Sequence, residues 1–193
     1  MLLYVMRRIN LGCGPRATPG WLNCDRLAAP GVDLRCDLRG GVPLATASVD
    51  CIAAIHLMQD LAWPEIAPAL VELHRLLKAG GVLRLAVPDL DRALRAYLAG
   101  DARYFYVPDA DARSIGAKLV TQIVWYGSVR TPCTYDFLAE SLAAAGFAGI
   151  ERAGFGASRV SGLAALDNRE RESLFVEAVK PDGNASGRDI AAS

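Results

Sequence analysis

Charge of one sign is missing from this sequence: 21 Lys and Arg face 21 Asp and Glu over 193 residues, a formal net charge of zero. Proteins that hold nucleic acid electrostatically carry an excess of Lys and Arg, so no nucleic-acid partner is expected beyond a local basic patch. Histidine is scarce, with only His56 and His74, and the five cysteines (Cys13, Cys24, Cys36, Cys51, Cys133) contain no C-x-x-C pair. No zinc-site spacing can be assembled from them, so no metal is expected and the odd thiols read as reduced, in a cytoplasmic protein. Long apolar runs are absent too: none approaches the roughly eighteen residues that cross a bilayer, and no membrane partner is expected. Met1 to Arg8 begins apolar, but its charges follow the apolar stretch and no small-residue cleavage site succeeds it, so no secretory signal is expected. What is present is a 52% hydrophobic, 22% charged composition, enough interior for one globular domain and incompatible with global disorder. No internal repeat recurs at twenty to fifty residues.

Short apolar runs alternate with turns and helical patterns through the first half. Arg8 to Leu11 reads as a strand stopped by Gly12-Cys13-Gly14-Pro15. Trp21 to Cys24 and Val32 to Cys36 read as strands closed by Asp25 and Asp37. Val49 to Ile55 is continuously apolar, as a strand buried on both faces of a parallel sheet requires. Pro64 opens a helix whose Ile66, Leu70, Leu73 and Leu77 share one face, and Gly80-Gly81 is expected to end it. Val82 to Val87 reads as a fifth strand and Asp91 to Leu98 as a helix. Residues 100–113 show no period and read as a loop, followed by a helix over Ile115 to Tyr126. Thr134 caps a helix running to Ala145 with Gly146 at its end, and Phe147 to Ala153 and Ser173 to Val179 read as the last two strands. One domain over residues 1–180 is expected, with a polar, aperiodic tail over 181–193 that reads as disordered.

This alternation implies an α/β fold with a mostly parallel, seven-stranded sheet flanked by helices. Such sheets bind ligands at the carboxyl ends of their strands, near the point where strand order reverses. Those ends carry Gly12-Cys13-Gly14, Asp25, Asp37, Ile55-His56 and Pro88-Asp89. A Gly-x-Gly turn lets backbone approach a ligand closely, and an acid ending the second strand can accept both hydroxyls of a ribose. In dinucleotide-binding folds a full helix separates the two, with the pyrophosphate at its N-terminus. Here Asp25 follows Gly14 by eleven residues interrupted by Pro15, Pro19 and Gly20, less than a crossover helix of ten to twelve residues or more and its turns need. The shortened crossover disfavours NAD and favours a nucleoside ligand without phosphate, of which S-adenosylmethionine (SAM) is one.

The segments Asn10-Leu11-Gly12-Cys13-Gly14-Pro15 and Pro19-Gly20-Trp21-Leu22-Asn23-Cys24-Asp25 resemble the opening of class I SAM-dependent methyltransferases, a Rossmann-like fold. They most resemble a bacterial group of small proteins related to the type 11 family. The resemblance continues through Cys36-Asp37-Leu38, Ser48-Val49-Asp50, Ile55 to Leu61, Leu77 to Gly81 and Tyr135 to Phe147, so it spans residues 8–180 in order. It implies SAM as cofactor, with Gly12, Cys13 and Gly14 against its methionine part by backbone contact. It further implies Asp25 on the ribose, Asp37 on the adenine amino group with the Leu38 amide nearby, and Ile55 and His56 beside the sulfonium. Relatives commonly read His-x-Leu-Glu-His-Leu after the fourth strand, where this chain has His56-Leu57-Met58-Gln59-Asp60-Leu61.

Methyl transfer from a sulfonium is an in-line displacement that positioning alone accelerates greatly, and a general base assists where the acceptor carries a proton. His56 is the catalytic candidate, since imidazole titrates in the useful range; Asp89 is a second candidate or a helix cap, and Cys13 and His74 read as structural. Tyr97, Tyr104, Phe105, Tyr106, Trp125 and Tyr126 concentrate in residues 97–130, which read as the acceptor pocket or, alternatively, as a lid or a homodimer contact. The expectation is methyl transfer to an oxygen or nitrogen of a small-molecule acceptor, a saccharide or secondary metabolite by resemblance. The alternative is a non-catalytic SAM-binding or scaffold protein. Methylation of DNA is disfavoured by the missing Asp/Asn-Pro-Pro-aromatic segment.

Overall fold

In a computed structural model that describes residues 6–182, the chain forms seven strands and four α-helices. They are β1 (Arg8–Leu11), β2 (Leu22–Asp25), β3 (Leu34–Arg35), β4 (Val49–Ile55), α1 (Trp63–Leu76), β5 (Leu77–Pro88), α2 (Leu90–Leu98), α3 (Ile115–Val124), α4 (Tyr135–Ala144), β6 (Ala148–Ala153) and β7 (Ser173–Val179). One sheet orders them β3-β2-β1-β4-β5-β7-β6. The first five run parallel, and β7 is antiparallel to both β5 and β6. Order reverses between β1 and β4, so the carboxyl ends of these two strands open a crevice. The tail expected from residue 181 falls, from residue 183 on, outside the described residues.

One face of the sheet carries helices. Ile66, Leu70, Leu73 and Leu76 of α1 and Leu138 and Leu142 of α4 are buried with Ile52, Ala54, Leu83, Leu85 and Val176 of the sheet. Glu65 closes the first turn of α1 by accepting the Ala62 N–H at 2.7 Å. The helix ends at Leu76, earlier than the glycine pair, because Leu77 turns extended (φ −69°, ψ 142°) and enters β5 directly. Gly80-Gly81 instead forms a bulge in β5, where the chain takes five steps from Leu77 to Val82 against two from Val49 to Cys51. A Cβ on Gly81 would lie 2.8 Å from the Lys78 carbonyl oxygen, so only glycine passes there.

The opposite face has no helix after β1 or β2; residues 12–21 and 26–33 link their strands through turns. The shortened crossover is thus helix-free. Two buried asparagines do the work a helix backbone would otherwise do for itself. Asn10 donates to the Arg16 carbonyl and to Asn23 Oδ1 (both 3.1 Å), while Asn23 accepts the Thr18 N–H (2.8 Å) and donates to the Thr18 and Trp21 carbonyls. These bonds satisfy the loop's main chain at a depth where water cannot.

Residues 154–172, between β6 and β7, fold back over this bare face. Leu163 packs with Trp21, Cys51, Ala53 and Val82. Arg84, fully buried on β5, binds Asp167 at 2.5 and 2.7 Å, Glu177 at 2.8 Å and the Gly154 and Ala157 carbonyls at 2.9 Å. Every guanidinium nitrogen is used, which compensates the desolvation of a charge at such depth.

Candidate active site

Two adjoining cavities open at the carboxyl end of the sheet. The larger, about 470 Å³, lies over the ends of β1, β2 and β3 and is lined by Gly12, Gly14, Asp25, Asp37, Leu38, His56, Leu57, Asp60 and Leu61 among others. The smaller, about 250 Å³, lies under α2 and α3 and is lined by Pro88, Asp89, Tyr104, Trp125, Arg169 and Glu172 among others. His56, Asp60 and Ser128 line both, so the cavities meet there.

Gly12 (φ +73°) and Gly14 (φ +50°) make the turn after β1. A Cβ on Gly12 would sit 3.0 Å from Leu57 Cδ1, which closes the floor of the larger cavity. The amides of this turn are already spent. Gly12 and Cys13 N–H donate to the Cys24 carbonyl (2.8 and 3.1 Å), and Gly14 N–H donates to Asp25 Oδ2 (2.8 Å). A phosphate would need those donors free, whereas a ligand met by van der Waals contact does not. Asp25 also accepts the Leu27 N–H (2.9 Å), which aims its carboxylate across the cavity mouth and leaves lone pairs for a diol. Asp37 caps the short turn at Leu38–Gly40, and the Arg39 guanidinium holds its carboxyl down at about 2. It is therefore an ionised acceptor at any ordinary pH.

Two of the expected contacts are absent from the cavity wall. Cys13 buries its thiol, and burial raises the pKa of that thiol, as a packed small residue would show. Ile55 turns to the opposite face and packs with the Trp21–Leu163 cluster. Asp89 caps α2 by accepting the Arg92 N–H (3.1 Å) and pairs with its side chain, while still touching the smaller cavity. His74 packs edge-on against Phe147 away from both cavities.

His56 is held in a left-handed conformation (φ +57°), uncommon for a side chain with a Cβ. Ser173 Oγ lies 3.0 Å from Nε2 and donates its single proton to the Arg169 carbonyl (2.8 Å). The other ring nitrogen, Nδ1, is buried with no hydrogen-bond partner among the described residues. Burial, reinforced by the Arg169 charge, lowers the ring's pKa to about 4. Of the altered pair that follows, Gln59 is 5% exposed and donates to the His56 carbonyl (2.7 Å) and to Asp60 (3.2 Å). Burial raises the Asp60 carboxyl, and Glu172 is raised in the same way.

Of the aromatic residues, Tyr104 and Trp125 line the smaller cavity, whereas Tyr97 and Tyr126 are exposed and Phe105 packs beneath α2. Trp125 and Tyr126 are consecutive left-handed residues. The kink turns Trp125 into the cavity and lets Tyr126 Oη donate to Asp111 (2.6 Å). The next segment is stitched to the altered pair, Arg130 and Thr131 N–H both donating to the Gln59 carbonyl. Arg169 and Glu172 were not legible as site residues. They arrive on the irregular 154–172 segment, which has no periodicity to read.

Residues 9–85 match the model of a methyltransferase domain family. A search of curated proteins found no match. Among solved structures, a SAM-dependent methyltransferase from Archaeoglobus fulgidus is 14% identical over 91% of this chain and 86% of its own, with a TM-score of 0.55. One from Mesorhizobium loti is 18% identical over 91% of each chain, with a TM-score of 0.53. A Haemonchus contortus phosphoethanolamine N-methyltransferase, solved with S-adenosylhomocysteine, is 12% identical over 92% of this chain and 49% of its own, with a TM-score of 0.56. The strand order and these likenesses give the chain the fold of class I SAM-dependent methyltransferases, and residues 9–85, from β1 into β5, match the methyltransferase domain family.

Proposed function

We propose that the protein methylates an oxygen or nitrogen of a small-molecule acceptor, with SAM in the larger cavity and the acceptor in the smaller. The observation that carries this reading is the junction at His56, Asp60 and Ser128, where a cavity lined by the strand-end acids Asp25 and Asp37 and an aromatic-lined cavity share one mouth. Asp25 would hold the ribose hydroxyls, Asp37 and the Leu38 amide the adenine, and the Gly12–Gly14 turn the methionine part, with His56 at the sulfonium end. When bound, SAM supplies an electrophilic methyl group next to this junction. The chain's own task is to bring an acceptor lone pair in line and to exclude water. His56 keeps a neutral ring above pH 4 or so, which spares a sulfonium a like charge beside it. So weak a base takes a proton poorly, and its principal part is to shape the mouth.

Calorimetric titration with S-adenosylhomocysteine tests the cofactor half of the reading, with NAD in parallel. Binding of the thioether and not of NAD is expected. Asp25→Ala removes the acceptor of two loop amides as well as the diol ligand. A loss of about 2–3 kcal/mol for a charged hydrogen-bond partner corresponds to roughly 30- to 150-fold weaker binding. Retained affinity in this variant would overturn the assignment of Asp25.

A further inference from the structure

We propose that the acceptor is an amine that enters as its ammonium ion, held by the Asp60 carboxylate beneath Trp125; this rests on the methyl-transfer reading above. Three carboxylates touch the smaller cavity, Asp60, Asp89 and Glu172, against one guanidinium, Arg169. Asp89 is committed to Arg92 and to the N-terminus of α2. Glu172 leans on Arg169 at 3.6 Å. Asp60 has no ion-pair partner among the described residues; its recorded contact is the Gln59 amide. Where the two cavities meet, Asp60 is thus a carboxylate outside any ion pair, with Arg26 and Arg169 acting on it only at longer range.

A second group at the same place asks for a donor. Gln59 is buried, its amide nitrogen is fixed by two acceptors, and its Oε1 has no hydrogen-bond partner among the described residues. A hydroxyl could meet one of these two acceptors with its single proton, and a carboxylate could meet neither. An ammonium carries up to three donors and a positive charge, and the Trp125 ring in the same lining attracts such a cation, whereas Tyr104 already carries the Arg171 guanidinium 5.9 Å from its ring centre. Burial raises the carboxyls of Asp60 and Glu172, a cost that an arriving cation relieves. Before transfer the ammonium gives one proton to the Asp60 carboxylate. The freed nitrogen pair then forms the N–CH₃ bond as the S–CH₃ bond breaks, the electron pair staying on sulfur. The product is again a cation facing the same wall.

Protein saturated with S-adenosylhomocysteine is titrated with phenethylamine, 2-phenylethanol and phenylacetate, which share one ring and differ in the head group. The amine is expected to bind at least tenfold more tightly than the alcohol, and phenylacetate not at all. Asp60→Asn and Glu172→Gln are each expected to weaken amine binding at least fivefold, to weaken alcohol binding less than amine binding, and not to lower the melting temperature. Equal affinity for amine and alcohol, binding of none of the three, or indifference of the amine to both substitutions overturns the proposal. Failure to bind S-adenosylhomocysteine, read first in the same experiment, overturns the methyl-transfer reading instead.

Discussion

His56 and Asp37 show how two titratable residues at strand ends are tuned in opposite surroundings. Asp37 stands half in water and is held ionised by a neighbouring guanidinium. His56 is buried beside Arg169 and held neutral, at about 4. The consequence for stability follows from the histidine, whose unfolded form titrates near 6.5. Between roughly pH 6.5 and 4 the unfolded chain takes up a proton there that the folded chain refuses. Folding stability attributable to His56 is therefore complete above about 6.5 and falls as pH drops toward 4, below which it levels off. The loss is on the order of 3 kcal/mol by linkage. Urea denaturation of the native chain and of His56→Gln across this range should show a steeper fall in the first than in the second, where His74, Asp60 and Glu172 still titrate. Parallel curves would mean that the ring titrates normally.

At the scale of elements, the buried Arg84 cluster decides whether residues 154–172 stay on the sheet. Asp167 and Glu177 each bind Arg84 and also accept main-chain donors of the segment, Gly156 N–H (2.9 Å) and Arg159 N–H (3.1 Å). Arg84→Met leaves the buried Asp167 without a cation and Glu177 with Arg159 alone (3.3 Å), which costs about 3–5 kcal/mol. For a chain of this size that is a fall of roughly 6–20 °C in melting temperature. Combining it with Asp167→Leu and Glu177→Leu removes the stranded charges but orphans the two amides, so only part of the loss should return. Limited proteolysis should cut the single variant first within 154–172; unchanged cleavage would show that apolar packing around Leu163 suffices to hold it. The strands β4 and β7 and the helix α1 were legible because their apolar periods are strong and local. The end of α1 falls at Leu76 and not at the Gly80-Gly81 stop the pattern predicts, since glycines three residues into a strand carry the same letters as a helix stop. Only the pairing with β4 separates a bulge from a cap.

For the whole molecule, the first half of the site was readable and the second was not, for one physical reason. Gly12, Gly14, Asp25 and Asp37 each lie at a strand end, so the parallel sheet brings them to one edge whatever the loops do. Arg169 reaches the smaller cavity on the segment that Arg84 anchors, binding Asp167 across 83 residues of sequence and Glu177 across 93, and Glu172 through the pairing of β7 with β5, its carbonyl accepting the Asp89 N–H at 2.8 Å. No local pattern encodes a contact of that span. The larger cavity draws its wall from the ends of β1, β2, β3 and β4, joined by loops with no helix between the first three strands. A ligand that bridges these ends ties together the part of the sheet least braced by helices. Ligand at one hundred times its dissociation constant adds about 2.7 kcal/mol to folding stability. With roughly 2–4 °C per kcal/mol for a chain of this size, S-adenosylhomocysteine should raise the melting temperature by about 5–11 °C. NAD at equal concentration should leave it unmoved, because the amides after β1 are spent on Cys24 and Asp25. Amide hydrogen exchange should locate the added protection in residues 12–21 and 26–33. Protection confined to α2 and α3 would put the thioether in the smaller cavity and reverse the assignment of the two.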